Sequence, residues 1–422
     1  MEWSESSWGS RYVAHWDVNY FYAQIEVMRN PKLRGYRVAV GGDVEARHGI
    51  ILAATPEAKK FGVKTGMTLN EAKALCPYLI ILPPDFDYYM QVSGDFKSIL
   101  ADYTDLTEDF GLDESWGDLT HTWKLFAKSP LELCEIIRHR VLNELGLTIS
   151  TGLSYNKIFA KLGSDYKKPF GLTIITPQNF KDIVWRLPAQ DLLYVGRETQ
   201  VKLNSRGIRT IGDIARTSPK NLQAWLKSKV GLYLSVFANG EDHSPVSPNH
   251  EDAGIKSIGN SWTTPRDIKN ETDCRIVFQG LADSVSTRMR ELGFMCRTVQ
   301  IDLRDTFLVS KQRQFTFETP TFISSELCDY AMMLLGKHHD WNRSLRSIGI
   351  RGLNLTPPNT SYQFSLFENP EKRQKLEDLE YVKDEIREVY GTNAIMTGLQ
   401  LSDPQLSQLD AIKHVIHPVG YL

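Results

Sequence analysis

The stretch Gly111-Leu112-Asp113-Glu114-Ser115-Trp116-Gly117-Asp118-Leu119-Thr120 sets two adjacent carboxylates at a corner among strand-like apolar residues. Two like charges about 4 Å apart near a protein surface repel by roughly 4 kcal/mol. Such a pair needs cations, and hard carboxylate oxygens suit magnesium. Asp17, closing the apolar run Tyr12-Val13-Ala14-His15-Trp16, offers a third acid from a second strand end. Three carboxylates of this kind can hold two metal ions roughly 3.5–4 Å apart, an arrangement used for in-line displacement at phosphorus. Taken alone, Asp113-Glu114 would ordinarily be a capping acid in a solvated turn. The rest of the chain decides between the two readings.

The elements that must position these acids alternate between strand and helix. Residues 12–17 read as a buried strand, 21–28 as a short helix, and 36–40 and 50–54 as further strands. Helical spacing recurs at 56–61, 69–75, 88–103 and 130–145, the last stopped by Gly146, while 79–82 and 147–153 read as strands. Beyond Gly171 the pattern turns helical after a short strand at 174–176. Residues 239–250, rich in Gly, Pro, Ser, Asp and His, form a linker candidate. Strands at 256–262, 296–303, 312–317 and 347–355, with helices at 274–292 and 325–335, predict an independent α+β domain. A Pro-rich break at 357–361 opens a tail with one amphipathic helix near 371–390.

Composition bounds these readings. A chain of 422 residues exceeds the roughly 250–300 at which single cores stop growing, so several domains are expected. An apolar fraction of 41% describes a folded protein. Cys76, Cys134, Cys274, Cys296 and Cys328 show no paired spacing, which argues against a disulfide framework or zinc site and fits a reducing cytoplasm. The N-terminus has no signal-peptide pattern, and no apolar run approaches the ~20 residues of a membrane span. The net charge of −2 announces no nucleic-acid partner, yet residues 176–246 are net basic and 361–422 net acidic.

Four motifs occur in order: Asp17-Val18-Asn19-Tyr20-Phe21-Tyr22-Ala23, Glu57-Ala58-Lys59-Lys60-Phe61-Gly62-Val63, Leu112-Asp113-Glu114-Ser115 and Lys167-Lys168-Pro169. Their succession, within residues 12–391, resembles the Y-family DNA polymerases of the DinB/UmuC translesion group. The resemblance implies a multidomain α+β right hand: palm (1–19 and 86–175), small fingers (20–85), helical thumb with a helix-hairpin-helix (176–243), linker (244–255), α+β little finger (256–358), and a tail (359–422). It implies a monomeric cytoplasmic enzyme working on primer-template DNA with dNTPs and two Mg²⁺ ions. Asp17, Asp113 and Glu114 would be the metal-binding acids, joined by the Val18 carbonyl.

Site by site, Tyr22 falls at the family's steric-gate position, with Phe21 beside it; elsewhere such a Tyr would be a core aromatic. Lys59 and Lys168 fall where the family holds the triphosphate, although the family often has Arg at the first place. Arg grips phosphate bidentately and Lys acts as a point charge. Ala53 and Pro56 stand where a hydroxyl residue and a Tyr are common. Gly42, Ile50, Leu52 and Gly66 map to the roof over the nascent base pair. Gly196 and Arg197 mark the thumb hairpin, which presents backbone N–H groups to DNA phosphate. Arg288, Arg290, Lys311 and Arg313 are candidate DNA contacts of the little finger. Gln363-Phe364-Ser365-Leu366-Phe367 resembles the sliding-clamp-binding peptide, whose apolar-aromatic end anchors in a groove; Gln405-Leu406-Ser407-Gln408-Leu409 is a far weaker echo and reads simply as helix. Two rivals stand beside this reading: a catalytically weak DNA- and clamp-binding protein of the same fold, and a nucleotide cyclase on a similar palm. The three acids disfavour the first, and the thumb-like helices and clamp peptide the second.

Overall fold

The computed structural model describes residues 11–42, 49–247, 255–358 and 369–407. These form two compact units, one from residues 11–42 and 50–247, the other from 255–358 and 369–407. In the first, β1 (Val13–Val18) is buried along its whole length and leads into α1 (Phe21–Arg29). β2 (Val38–Gly41), β3 (Ile51–Ala54), α2 (Pro56–Lys59), α3 (Leu69–Leu75) and β4 (Ile80–Leu82) follow. They build a three-stranded sheet, order β3-β2-β4, over a small core that includes Ala39, Ile51, Ala58, Leu69 and Ala72. Thr68 starts α3 with a capping box completed by Glu71.

The chain then runs through α4 (Phe86–Ala101), β5 (Thr107–Asp109), β6 (Glu114–Asp118), α5 (Trp123–Phe126), α6 (Pro130–Leu145), β7 (Ile149–Ser154), α7 (Lys157–Tyr166) and β8 (Leu172–Ile175). The five-stranded sheet has the order β5-β6-β1-β7-β8, so β1 lies at its centre, antiparallel to β6 and β7. Trp16, Phe21, Ile25, Phe96, Leu100, Leu133 and Ile137 share its main core. Fully burying side chains of this size stabilises by roughly 1.5–3 kcal/mol each. α7 packs against β1, β7 and β8. Gly152 sits opposite His15 in the β1–β7 register, and a Cβ there would run into the Ala160 carbonyl and the Ser164 amide. Glycine at this point is what lets α7 lie so close to the strands. After β8 the chain is helical, with α8 (Phe180–Ile183), α9 (Arg197–Asn204), α10 (Ile211–Arg216), α11 (Pro219–Leu226) and α12 (Val230–Ala238) around a core of Leu203, Ile211, Leu222 and Leu234.

The second unit comprises β9 (Ser257–Ile268), α13 (Glu271–Glu291), β10 (Met295–Asp305), β11 (Ser310–Thr321), α14 (Ser324–His338), β12 (Leu345–Thr356), α15 (Pro370–Tyr390) and α16 (Gly398–Leu401). Its antiparallel sheet has the order β11-β10-β12-β9.

Three findings differ from the sequence-based reading. Helix α7 and the short strand β5 were not expected. The acidic composition of Thr107-Glu108-Asp109 hides the strand, which pairs with β6 all the same. Finally, residues 369–407 of the expected tail are part of the second unit's body: Leu376, Met396, Leu399 and Leu406 pack into its core. Leu406 and Ser407 are buried there while Gln405 is exposed, and residues 404–406 form a turn where helix was expected.

Candidate active site

Strand geometry brings the acids together. Asp17 pairs with Glu114 across β1 and β6, and the Val18 amide donates to the Asp113 carbonyl at 2.9 Å. The corner before β6 is pinned by α4: Ser93 Oγ donates to the Leu112 carbonyl at 2.5 Å and Lys97 Nζ to that of Gly111 at 2.8 Å. Gly111 itself has a φ of 121°, which favours glycine. Asp113 and Glu114 thus project from a held turn beside the last residues of β1.

Two lysines face these acids. Lys168 Nζ lies 2.5 Å from Asp17 Oδ2 and 2.8 Å from Asp165 Oδ1. Lys161 Nζ contacts Glu114 Oε2. Beneath them lies His15, fully buried, with Nε2 3.3 Å from Glu114 Oε2 and Nδ1 2.8 Å from Ser164 Oγ. Burial pushes Asp17 up to about 7, against the pull of Lys168 and with the charge of Glu114 adding to the rise. Burial, then repulsion from Glu114, lifts Asp113 to about 6. Burial works against Glu114 as well, yet His15 and Lys161 outweigh it and hold this carboxyl at about 2. His15 falls to about 4 because burial disfavours its charged form, so it is neutral near pH 7. Burial also opposes the charge on Lys168, but Asp17 and Asp165 prevail and raise it above its ordinary range.

Among the described residues no three acidic, histidine or cysteine side chains already converge as a closed metal cage. Lysines stand where cations would, paired to Asp17 and Glu114. The donor set nevertheless fits a hard divalent ion: all three groups are carboxylates, brought together at adjacent strand ends.

The other expected residues are placed as follows. Phe21 is buried at the start of α1, and Tyr22 beside it is half-buried, 4.8 Å from the Tyr89 ring and 6.0 Å from Phe86. Burial, then the charge of Asp113, raises the Tyr22 hydroxyl, so this ring stands in the field of the acids. Lys59 closes α2 and is exposed; burial of part of its side chain and the charge of Lys168 lower its ammonium while Asp17 draws it back up. Pro56 is the first residue of α2, and Ala53 is buried in β3. Gly42, Ile50, Leu52 and Gly66 surround the start of β3: Gly42 N–H donates to the Ile50 carbonyl, Gly66 N–H to that of Ile51, and Thr65 Oγ1 to that of Leu52. Gly196 is the N-cap of α9, preceded by a single 3₁₀ turn at Ala189–Asp191, and Arg197 is exposed behind it.

In the second unit, Lys311 and Arg313 are exposed on the edge strand β11. Arg288 donates to the Gly259 carbonyl at 2.7 Å. Arg290 is a correction. Its side chain is 3% exposed and bound to Glu380 at 3.0 Å and Asp384 at 2.6 Å, so it clamps α15 to α13 and is not presented to DNA. Residues Gln363, Phe364, Ser365, Leu366 and Phe367 lie outside the described residues.

Sequence reasoning missed His15, Lys161, Ser164 and Asp165. The signal was present in Asn156, which caps α7 by accepting from the Phe159 amide at 2.8 Å, followed by apolar residues 158, 159 and 162 at helical spacing.

Comparison with known proteins agrees with this geometry. Residues 16–165 match the impB/mucB/samB family, residues 255–366 that family's C-terminal domain, and residues 190–242 the thumb domain of DNA polymerase iota. DNA polymerase IV of Acetivibrio thermocellus is 43% identical over 94% of this chain and 100% of that protein. DNA polymerase IV 1 of Bacillus subtilis is 37% identical over 93% of this chain and 94% of its own. A solved Y-family DNA polymerase chimera shares the fold with a TM-score of 0.72 at 23% identity, covering 82% of this chain and 99% of that one. The carboxylate corner, the paired lysines and relatives aligned along nearly the whole chain lead to one conclusion: the protein belongs to the impB/mucB/samB family of Y-family DNA polymerases, with palm, fingers, thumb and little finger.

Proposed function

We propose that this chain is a template-directed DNA polymerase of the translesion type, adding deoxynucleotides to a primer 3′ end opposite damaged or undamaged template. The observation that carries the reading is the β1–β6 pairing that sets Asp17 beside Glu114, with Asp113 hydrogen-bonded through its carbonyl to Val18. Asp17, Asp113, Glu114 and the Val18 carbonyl would hold two Mg²⁺ ions, which when bound supply charge neutralisation at the transferred phosphoryl group. The chain's own residues do the rest by binding and orientation. Lys59 and Lys168 take the triphosphate, Lys168 exchanging its contact with Asp17 for phosphate oxygens. Tyr22 and Phe21 stand where the sugar must pass, and the Tyr22 ring collides with a ribose 2′ hydroxyl. Gly42, Ile50, Leu52 and Gly66 roof the nascent pair. The primer 3′ oxygen forms the new bond to the α-phosphorus, pyrophosphate leaves, and no side chain becomes covalently attached.

For the remaining partners, Gly196 and Arg197 of the thumb and Arg288, Lys311 and Arg313 of the little finger would track the DNA backbone. Gln363-Phe364-Ser365-Leu366-Phe367 would engage a sliding clamp, with the polymerase itself a monomer. Primer extension with the wild type and Asp113→Ala tests the assignment. Extension by the wild type and background signal from the variant are expected; equal extension by both would overturn it.

A further inference from the structure

Lys168 works from a short connection, residues 167–171, that joins α7 to β8. A side chain on such a loop is only as well aimed as the backbone beneath it. One residue of the connection sits where its backbone would not settle unaided. Phe170 has a φ of 60°, in the left-handed region that residues other than glycine seldom occupy, and such a conformation persists where its surroundings hold it.

Arg138 of α6 supplies the hold. Its Nη2 donates to the Phe170 carbonyl at 2.6 Å, and its guanidinium lies over the Phe170 ring, 4.3 Å from the centroid. Carbonyl and ring are fixed together, so the turn cannot rotate without breaking one contact. At its far end the Thr151 N–H donates to the Gly171 carbonyl at 2.8 Å. Arg138 has no other evident reason to be where it is. It is 5% exposed, on the side of α6 that buries Cys134, Ile137 and Val141. An enclosed guanidinium is costly unless it is paired. Glu135 accepts from Nη1 at 2.6 Å, but the Glu135 side chain is 43% exposed, and a pair of that kind forms as readily at the surface. Burial turns Arg138 toward the loop.

We propose that Arg138 is a positioning residue for the incoming nucleotide: by locking the 167–171 turn at Phe170 it aims Lys168 at the triphosphate. The inference rests on the reading of Lys168 as a phosphate-binding residue. Without a nucleotide, the Lys168 ammonium contacts Asp17 at 2.5 Å and Asp165 at 2.8 Å. When it leaves Asp17 for phosphate oxygens, the held turn confines where it can go. Arg138 touches neither the acids nor the nucleotide, so its removal acts on nucleotide affinity and does so through Lys168.

The test uses the full chain on primer-template DNA ending in a dideoxynucleotide, with the complementary dNTP and Mg²⁺ as probe and binding read from a fluorescent template base. Arg138→Met keeps the aliphatic bulk and removes the guanidinium. Its dNTP dissociation constant should rise about 10-fold, the loss expected for one charge-assisted contact, with the KM of primer extension rising in parallel. In a Lys168→Ala background the same substitution should change the constant by less than about two-fold, because residues that act as one unit are not additive. Arg138→Lys keeps the cation beside Glu135 without the flat two-armed grip on Phe170, and serves if Arg138→Met fails to fold. A rise in the same direction, again absent in the Lys168→Ala background, is expected of it. An unchanged constant in a folded Arg138→Met, or in Arg138→Lys where that variant serves, would overturn the inference. So would an undiminished further loss in the Lys168→Ala background. Lys168→Ala binding dNTP as tightly as the wild type would instead mean that the underlying assignment of Lys168 has failed.

Discussion

At the scale of single residues, the site turns on charges that burial makes costly. Asp17 and Asp113 both lie well above the ordinary carboxylate range because desolvation dominates, whereas Glu114 falls below it because His15 and Lys161 reach it together. Three acids of one type thus acquire different behaviour from their neighbours alone. Tyr22 is the residue whose role is cheapest to check. Packed on Tyr89 and Phe86, it has little room to swing aside, so Tyr22→Ala should open space for a 2′ hydroxyl. Ribonucleotide incorporation by the variant should rise by at least about 10-fold relative to dNTP use, a change of about 1.4 kcal/mol in discrimination. Unchanged sugar selectivity in single-nucleotide extension would remove the gate assignment. Asp17, Asp113, Glu114 and Tyr22 could be named from motif order alone. His15 and Ser164 could not, because nothing in Ala14-His15-Trp16 says that α7 will lie over this face of the strand.

At the scale of elements, the little finger shows how a tail becomes part of a domain. α15 docks through a charged face: Arg290 binds Glu380 and Asp384, while Lys383 and Arg387 converge on buried Asp283 at 2.8 and 3.1 Å. Burial raises the pKa of Asp283, yet the two cations outweigh it and leave the carboxyl below its ordinary value. A folded-state pKa below the unfolded one stabilises above the unfolded value, about 3.9, and the contribution fades as pH falls through the folded value. Asp283→Asn should therefore weaken α15 docking at neutral pH, with a cost on the order of 3–5 kcal/mol for stranding buried partners. Hydrogen exchange along residues 370–390 is expected to quicken in the variant at pH 7, and the gap from wild type to narrow below about pH 4. A gap that is constant with pH would show that Asp283 contributes packing and not charge. The amphipathic pattern of residues 371–390 revealed a helix but not which side it buries. The inward side carries Arg373, Glu380 and Lys383, while Leu379 and Val382 remain exposed, because a matched set of opposite charges on α13 and α14 receives it.

At the scale of the whole molecule, catalysis and retention on DNA are assigned to separate stretches of chain. The acids and lysines of the site all belong to the first unit, and the segment 363–367, proposed above to engage a clamp, falls in sequence between β12 and α15 of the second. Replacing Gln363, Leu366 and Phe367 by Ala should shorten products made with the clamp to the length made without it. Clamp stimulation equal to wild type in that variant would dismiss the peptide. Backbone contacts by Lys311 and Arg313 should appear as an affinity that falls with salt, each neutralised phosphate adding about 0.9 to the slope of log affinity against log salt.

The amino-acid sequence alone determined the inventory: which acids, lysines and aromatics are present, their order, and the alternation of strand and helix that carries them. These are local properties, written in residue type and in periods of two and 3.6. Only the tertiary structure decided which charges meet. Lys168 reaches Asp17 across 151 positions and Lys161 reaches Glu114 across 47, and both contacts depend on how closely α7 settles onto β1 and β7. Arg290 was diverted from solvent by a helix that begins 80 residues later. Pairings over such separations are set by packing in three dimensions, where the burial of one glycine-lined contact fixes the partners of every charge around it.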